Sequence, residues 1–294
     1  MPSLRKSDLP IAVLLLLPVF LFVGVFAFFP AFYAAYLSFY RSDFLIMNNH
    51  FVGLDNYVKV LKDGEFWSSL AKTLSFTFWS VLGQFVLGLL LALVLNQKIK
   101  ATTTLRVLIT IPWTLSPVVI AVIFQALYVP NRTGLLNYFL MSLGIVDQPI
   151  AWLGIGTAMA MVVVANIWFG MPFSLIMQLA GLQSIPNDVY EAATVDGAGL
   201  WRKFFQITLP LLKPTILVNL IWISISTLNE FDLVFALTGG GPMNQTNLLG
   251  IDMYNTAFKA GQFEVGSTIA MLMFIINALL SLIYVKSLKT ENYY

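Results

Sequence analysis

The chain has 294 residues, of which 59% are hydrophobic and only 10% are charged, whereas a soluble domain carries about 25% charged residues. With a net charge of +2, no cysteine and no basic cluster interleaved with aromatic residues, the sequence gives no sign of disulfides, thiol chemistry or a nucleic-acid partner. This composition predicts an integral membrane protein.

Charge-free runs predict six membrane-spanning helices and therefore an all-α membrane fold. A spanning helix needs about 20 mostly apolar residues, and five of the runs reach that length easily. The fifth run, 214–229, is short, because at about 1.5 Å per residue it covers about 24 Å of a hydrocarbon core about 30 Å thick. To span, it would have to continue through Glu230 and Asp232 towards Ala236. We expect one membrane domain, 1–294, with spans at about 11–39, 72–96, 107–129, 155–181, 214–236 and 265–285.

The first run could be mistaken for a secretory signal peptide, because Arg5 and Lys6 precede it. Its apolar stretch is far longer than the usual length of roughly 7 to 15 residues, and no A-x-A-type cleavage site follows. We therefore expect a retained first helix.

The distribution of basic residues predicts the orientation. Of the lysines and arginines, ten lie on the side that holds both termini and six on the other side, and basic residues concentrate in cytoplasmic loops. The ten are Arg5, Lys6, Lys98, Lys100, Arg106, Arg202, Lys203, Lys213, Lys286 and Lys289. We expect a multi-pass protein of the plasma (inner) membrane with both termini in the cytoplasm.

Prolines and glycines lie inside several of the expected spans. Pro112 and Pro117 fall in the third and Pro172 in the fourth, and prolines there free backbone carbonyls that neighbours or water must satisfy. Such kinks suit a bundle that opens a path. Ordinary helix packing through small residues accounts for the glycines without a path.

A polar segment between the fourth and fifth spans predicts two short helices on the cytoplasmic side. Ser184 or Asn187 can cap the first helix, and acidic residues fall in its first turns, where the helix dipole favours them. Glycines then break the helix, and LWRKFFQI predicts a second, amphipathic helix that Pro210 and Pro214 end before the fifth span begins. The segment 186–210 is expected to be a docking element.

The spacing within this segment is Glu-Ala-Ala, three residues, Gly, nine residues, Ile, one residue and Leu-Pro. This pattern resembles the EAA motif of the permeases of binding-protein-dependent ABC importers. The stretches FVGLDNYVKVLKD, IPWTLSPVV, LQSIPNDVYEAA and NEFDLVFALTGGGP are similar to the carbohydrate-uptake branch, the maltose, lactose and glycerol-3-phosphate type. The resemblance covers nearly the whole chain.

The resemblance implies a six-span ABC importer type I permease that pairs with a homologous second permease. It also implies an extracytoplasmic sugar-binding protein and an ATPase dimer that binds ATP and Mg; no phosphate-binding loop or other cofactor site is expected in this subunit, which is not itself an enzyme. ATP binding would close the ATPase and switch the path by alternating access. The positions implied to dock on the ATPase are Glu191, Ala192, Ala193, Asp196, Gly197, Arg202, Ile207, Leu209 and Pro210.

The resemblance also implies where a sugar would be contacted. The positions are Trp168, Gly170 and Phe173 in the fourth span and Leu228, Asn229, Glu230 and Asp232 in the fifth. Aromatic faces stack on sugar C–H surfaces, and amide and carboxylate oxygens accept hydrogen bonds from hydroxyls. On a helix the two acids would point about 200° apart, so we expect only one of them in a narrow path, and a carboxylate at the membrane rim stays an alternative for each. Carboxylates would repel an anion, which favours a neutral or amino sugar.

Three other functions stay open from the residues alone. An ion-coupled secondary transporter would use Glu230 and Asp232, since ionisable residues inside a membrane are functional candidates. An intramembrane enzyme would need a nucleophile–base or metal constellation, and the single histidine, His50, lies in a polar loop. A scaffold protein would need neither kinked helices nor intramembrane acids.

Overall fold

A computed structural model describes residues 9–43, 48–97 and 102–289. These residues are mostly helical, with one two-stranded hairpin that the sequence analysis did not foresee. Arg5, Lys6, Lys98 and Lys100, which entered the orientation argument, lie outside the described residues. In chain order the elements are α1 (Leu9–Val23), α2 (Phe29–Ser38), β1 (Tyr40–Asp43), β2 (Asn48–Phe51), α3 (Asp55–Lys62), α4 (Gly64–Leu95), α5 (Thr102–Thr114), α6 (Pro117–Leu127), α7 (Leu135–Ser142), α8 (Ala158–Gln183), α9 (Asn187–Val195), α10 (Leu200–Lys203), α11 (Leu209–Leu228), α12 (Asp232–Thr238), α13 (Leu249–Tyr254) and α14 (Phe263–Lys289).

The chain divides into two compact units. One contains Met1–Phe66 and Asp252–Ile275, and the other contains Trp67–Ile251 and Ile276–Tyr294. Among the described residues, five helices are long and apolar enough to cross a membrane, or six if α5 and α6 together make one span. This agrees with the all-α, six-span fold class; the expectation of one undivided domain stays a prediction.

The first unit begins with a long apolar helix. A π turn joins α1 to α2, and the helix is apolar enough to cross a membrane over Leu14–Ser38. The side chain of Asn56, in α3, donates hydrogen bonds to the carbonyl oxygens of Ser38 (3.0 Å) and Tyr40 (2.9 Å). These bonds fix the short amphipathic helix α3 against the end of the first span.

The third expected span, 107–129, is a pair of helices instead of one. Helices α5 and α6 meet at a bend of 100°. Pro117 begins α6, and Ser116 before it is extended and accepts a hydrogen bond from the Val119 N–H at 3.4 Å. The break lies here because proline lacks an N–H and disfavours helical geometry in the preceding residue.

The fifth span differs from its prediction at both ends. A continuous helix runs from Leu200 to Leu228, so Pro210 and Pro214 do not separate a docking helix from the span. The π turn Phe204–Thr208 lies directly before Pro210, and such local widening lets a helix accept proline in a membrane. At the other end the helix stops at Leu228, well before the expected Ala236.

Close helix packing organises the second unit. A Cβ added at Gly181 in α8 would lie 2.6 Å from Leu212 of α11, and one at Gly88 in α4 would lie 2.6 Å from the Ser174 hydroxyl of α8. The packing interpretation of these glycines therefore holds in this unit. Apolar residues of α6, α8 and α12 form a buried cluster around Phe124.

Candidate functional site

A cleft of about 710 Å³ opens along α11, facing α6 and α8. Its aromatic lining comes from Phe169, Trp222 and Phe231, and its polar lining from Ser226, Asn229, Glu230 and Asp232. None of the described residues that line it is basic. The cleft therefore combines flat apolar faces with hydrogen-bond acceptors and negative charge.

A cavity of about 40 Å³ shares four lining residues with this cleft and extends it towards α4. Gln84 of α4 donates hydrogen bonds to the Asn166 carbonyl oxygen (3.3 Å) and to the Thr227 hydroxyl (3.4 Å). A Cβ at Gly170 would lie 2.5 Å from the Gln84 side-chain amide, so the glycine makes room for that amide. The side-chain nitrogen of Asn166 is buried without a hydrogen-bond partner among the described residues, which leaves a donor for a ligand or water.

Three aromatic rings form a row beside this cavity. The ring of Phe173 lies 5.5 Å from Trp113 and 5.4 Å from Trp222, centroid to centroid. All three residues line the cavity. The sequence predicted an aromatic face at Phe173 alone. In the structure this face also includes Trp113 of α5 and Trp222 of α11.

The two acids lie in the same cleft because the chain between α11 and α12 is not helical. Asn229–Phe231 separate the helices, so the expected angle of about 200° between Glu230 and Asp232 does not apply. The Leu233 N–H donates to the Glu230 carboxylate at 3.1 Å, which caps the start of α12. Both acids line this cleft, whereas on a continuous helix only one of them was expected to face a narrow path.

Asn277 of α14 is a polar partner that sequence reasoning missed. Its side chain and that of Asn229 exchange two hydrogen bonds, each 3.0 Å long, and Asn229 also donates to the Ile225 carbonyl at 2.7 Å. An asparagine inside an otherwise apolar span was the available signal, because polar groups there are costly unless they are paired.

Two predicted path residues do not line the cleft or its cavity. Trp168 packs edge-to-face on Phe124, with ring centroids 5.6 Å apart. Leu228 is buried and lines a separate groove with Leu74 and Tyr284. The neighbour of Trp168, Phe169, takes the position in the cleft, since one residue rotates a helical side chain by about 100°.

The segment after α8 forms a hairpin of helix α9 and the helix that begins with α10. Gly197, in the turn, has a φ of +73°, a conformation that glycine adopts without steric cost. Lys203 donates to the Thr194 hydroxyl at 2.7 Å, and the Tyr190 and Thr208 hydroxyls lie 3.0 Å apart. These contacts make the hairpin a defined element.

The outer surface of this hairpin is apolar and unusually exposed. Val195, Leu200 and Trp201 are 88%, 86% and 78% exposed. The predicted docking residues divide into two groups: Ala193 is buried, and Ile207 and Leu209 are half-buried, so these pack within the chain. The exposed ones are Glu191, Ala192, Asp196, Gly197, Arg202 and Pro210. Exposed apolar surface rimmed by polar groups is typical of a protein–protein contact.

Comparison with known proteins gives consistent matches along the chain. Residues 84–288 match the family described as binding-protein-dependent transport system inner membrane component. The chain is 38% identical over 285 residues to the trehalose/maltose transport system permease protein MalF of Thermococcus litoralis, covering 97% of this chain and 95% of that protein. It is 37% identical over 278 residues to the multiple sugar-binding transport system permease protein MsmF of Streptococcus mutans, covering 92% of each.

Among solved structures, the fold is similar to a chain of a bacterial ABC transporter involved in the import of the acidic polysaccharide alginate. The TM-score is 0.83 with 22% identity, and 97% of each chain is covered. A second alginate ABC transporter structure, in complex with an alginate-bound periplasmic protein, gives a TM-score of 0.80 at 23% identity.

Proposed function

The chain belongs to the binding-protein-dependent transport system inner membrane components of carbohydrate ABC importers, and we propose that its cleft is the part of the sugar path that this subunit contributes. As a permease subunit it transports without an ATPase domain of its own. It works in a complex with an extracytoplasmic binding protein and an ATPase. The family assignment leaves the ion-coupled alternative without support.

The observation that carries the proposal is the meeting of Glu230 and Asp232 with the aromatic faces of Phe169 and Trp222 in one cleft. Rings stack on the C–H faces of a sugar, and carboxylates accept hydrogen bonds from its hydroxyls. The two hydrogen bonds with Asn277 fix the Asn229 side-chain amide beside them, and its oxygen keeps a second lone pair for a sugar hydroxyl.

The charge of the cleft supports a neutral or amino sugar as the substrate. Two acids without a basic partner in the lining disfavour an anion. Two similar permeases are named for the transport of trehalose and maltose and of multiple sugars. The alginate importer carries an acidic polysaccharide, but at 22% identity that likeness concerns the fold alone.

We propose that the hairpin of α9 and α10 docks on the ATPase and that the hairpin and both termini lie in the cytoplasm. A homologous second permease is proposed to complete the path. Closure of the ATPase would move the hairpin, and because α10 continues into α11 without a break, the movement reaches Trp222 and the cleft directly. This continuity supports alternating access driven from the docking side.

The test is uptake by the complex reconstituted in proteoliposomes with its binding protein, assayed with trehalose, maltose and a panel of other sugars. Glu230→Gln and Asp232→Asn are expected to raise the half-saturating concentration or lower the rate roughly 10-fold to 100-fold, since each removes a charged acceptor. Asp147→Asn, an exposed acid outside the cleft, is the matched control. Unchanged kinetics and specificity in both cleft variants would refute the assignment.

A further inference from the structure

A groove of about 270 Å³ lies between α5 and α8, separate from the cleft. It lies near the end of α8 that leads to the hairpin of α9 and α10. Its lining is Arg106, Val107, Thr110, Leu175, Ile176, Leu179, Ala180 and Gln183. The floor is thus apolar, and a guanidinium is the only charged group among the described lining residues.

The guanidinium of Arg106 is only partly satisfied within the chain. Its Nη2 donates to the carbonyl oxygen of Leu95, the last residue of α4, over 3.4 Å. Its Nε is buried and has no hydrogen-bond partner among the described residues. That single long bond leaves the part of the guanidinium that lines the groove available to an anionic acceptor there.

We propose that this groove binds an anionic phospholipid, with its phosphate on Arg106 and an acyl chain along α8. A guanidinium presents several N–H donors to phosphate oxygens, and such charge-assisted bonds are strong. From Leu175 to Gln183 the helix rises about 12 Å, which gives an acyl chain an apolar strip to lie on. Free phosphate would make no use of that strip, and the lipid is therefore the better occupant.

The side of the membrane on which the groove is proposed to lie is consistent with an anionic lipid. The proposal takes from the proposed function that the docking end of α8 is cytoplasmic, and the cytoplasmic leaflet is the one rich in anionic lipid. Val107 and Ile176 at the groove are 60% and 40% exposed, as expected of side chains that meet lipid.

The experiment uses the intact importer complex in nanodiscs of phosphatidylcholine and phosphatidylglycerol, followed by native mass spectrometry of the lipids that stay bound to this subunit. Arg106→Gln is expected to lower retained phosphatidylglycerol roughly tenfold. Arg132→Gln, an exposed arginine in a loop, is the matched control and should change nothing. Ala180→Phe keeps the charge but fills the groove, and it should also release the lipid.

Several results would overturn the proposal. Both groove variants could retain as much phosphatidylglycerol as the wild type, or the wild type could retain phosphatidylcholine equally well. Loss of the second permease on Ala180→Phe would show that protein covers the groove. Displacement of the lipid by inorganic phosphate alone would point to a free anion. Sugar specificity is read separately, so failure here leaves the cleft assignment intact.

Discussion

Substitution of Gly170 by alanine tests the geometry of the cavity next to the cleft. The added Cβ would lie 2.5 Å from the side-chain amide of Gln84, whereas ordinary carbon contacts lie at about 3.5–4.0 Å. Gln84 must therefore move by about 1 Å or more, which breaks its bonds to Asn166 (3.3 Å) and Thr227 (3.4 Å). Both bonds are long, so their loss costs about 1–2 kcal/mol together.

The assay is equilibrium unfolding in mixed detergent micelles, with uptake measured in parallel. Gly170→Ala should lower the free energy of unfolding by about 1–2 kcal/mol and weaken sugar transport. The double variant with Gln84→Ala removes the clash and should be no less stable than Gln84→Ala alone, a coupling of about 1–2 kcal/mol. Gly24→Ala, where a Cβ meets nothing within 4 Å, is the control. Simple additivity of Gly170→Ala and Gln84→Ala would refute the reasoning.

Three further substitutions test other parts of the structure. Asn277→Leu removes two membrane hydrogen bonds to Asn229, each worth about 0.6 kcal/mol, and should lower unfolding stability by about 1 kcal/mol; no change would contradict the pairing. Trp201→Ala should leave the stability of the subunit unchanged because the side chain is 78% exposed. It should weaken ATPase retention on purification at least tenfold, as expected of an aromatic interface anchor. Full retention would exclude this surface of the hairpin as the ATPase contact. Ser116→Ala removes the 3.4 Å cap of α6 and should cost about 0.5–1 kcal/mol in thermal unfolding, a loss that Ser116→Asp should avoid.

The sequence allowed the spans and the hairpin of α9 and α10 to be anticipated because both depend on local patterns. An apolar run can be recognised without knowing what packs against it. Gly197 marks a turn with a positive φ, which glycine adopts without steric cost. Pro117 was noticed as a kink, but the 100° bend depends on Ser116 and on what packs around both helices.

The details of the cleft could not be predicted in the same way. The placement of Glu230 and Asp232 depends on whether the helix continues, and that is decided by the cap on α12 and the contacts of Asn229 with a helix 48 residues away. Whether Trp168 or Phe169 faces the cleft is a matter of helix rotation, which is set by packing against Phe124. The continuity of the helix through Pro210 depends on a π turn that no sequence pattern indicated.

The most direct test of the account is protection of the cleft by its sugar. The chain has no cysteine, so Ser226→Cys places a single thiol where the cleft and its cavity meet. In the reconstituted complex, with labelling read on this subunit, the transported sugar should slow maleimide modification of this cysteine during turnover. It should not protect Val195→Cys on the hairpin of α9 and α10. Equal labelling of Ser226→Cys with and without the sugar, in a complex that still transports it, would contradict the claim that the sugar passes through this cleft.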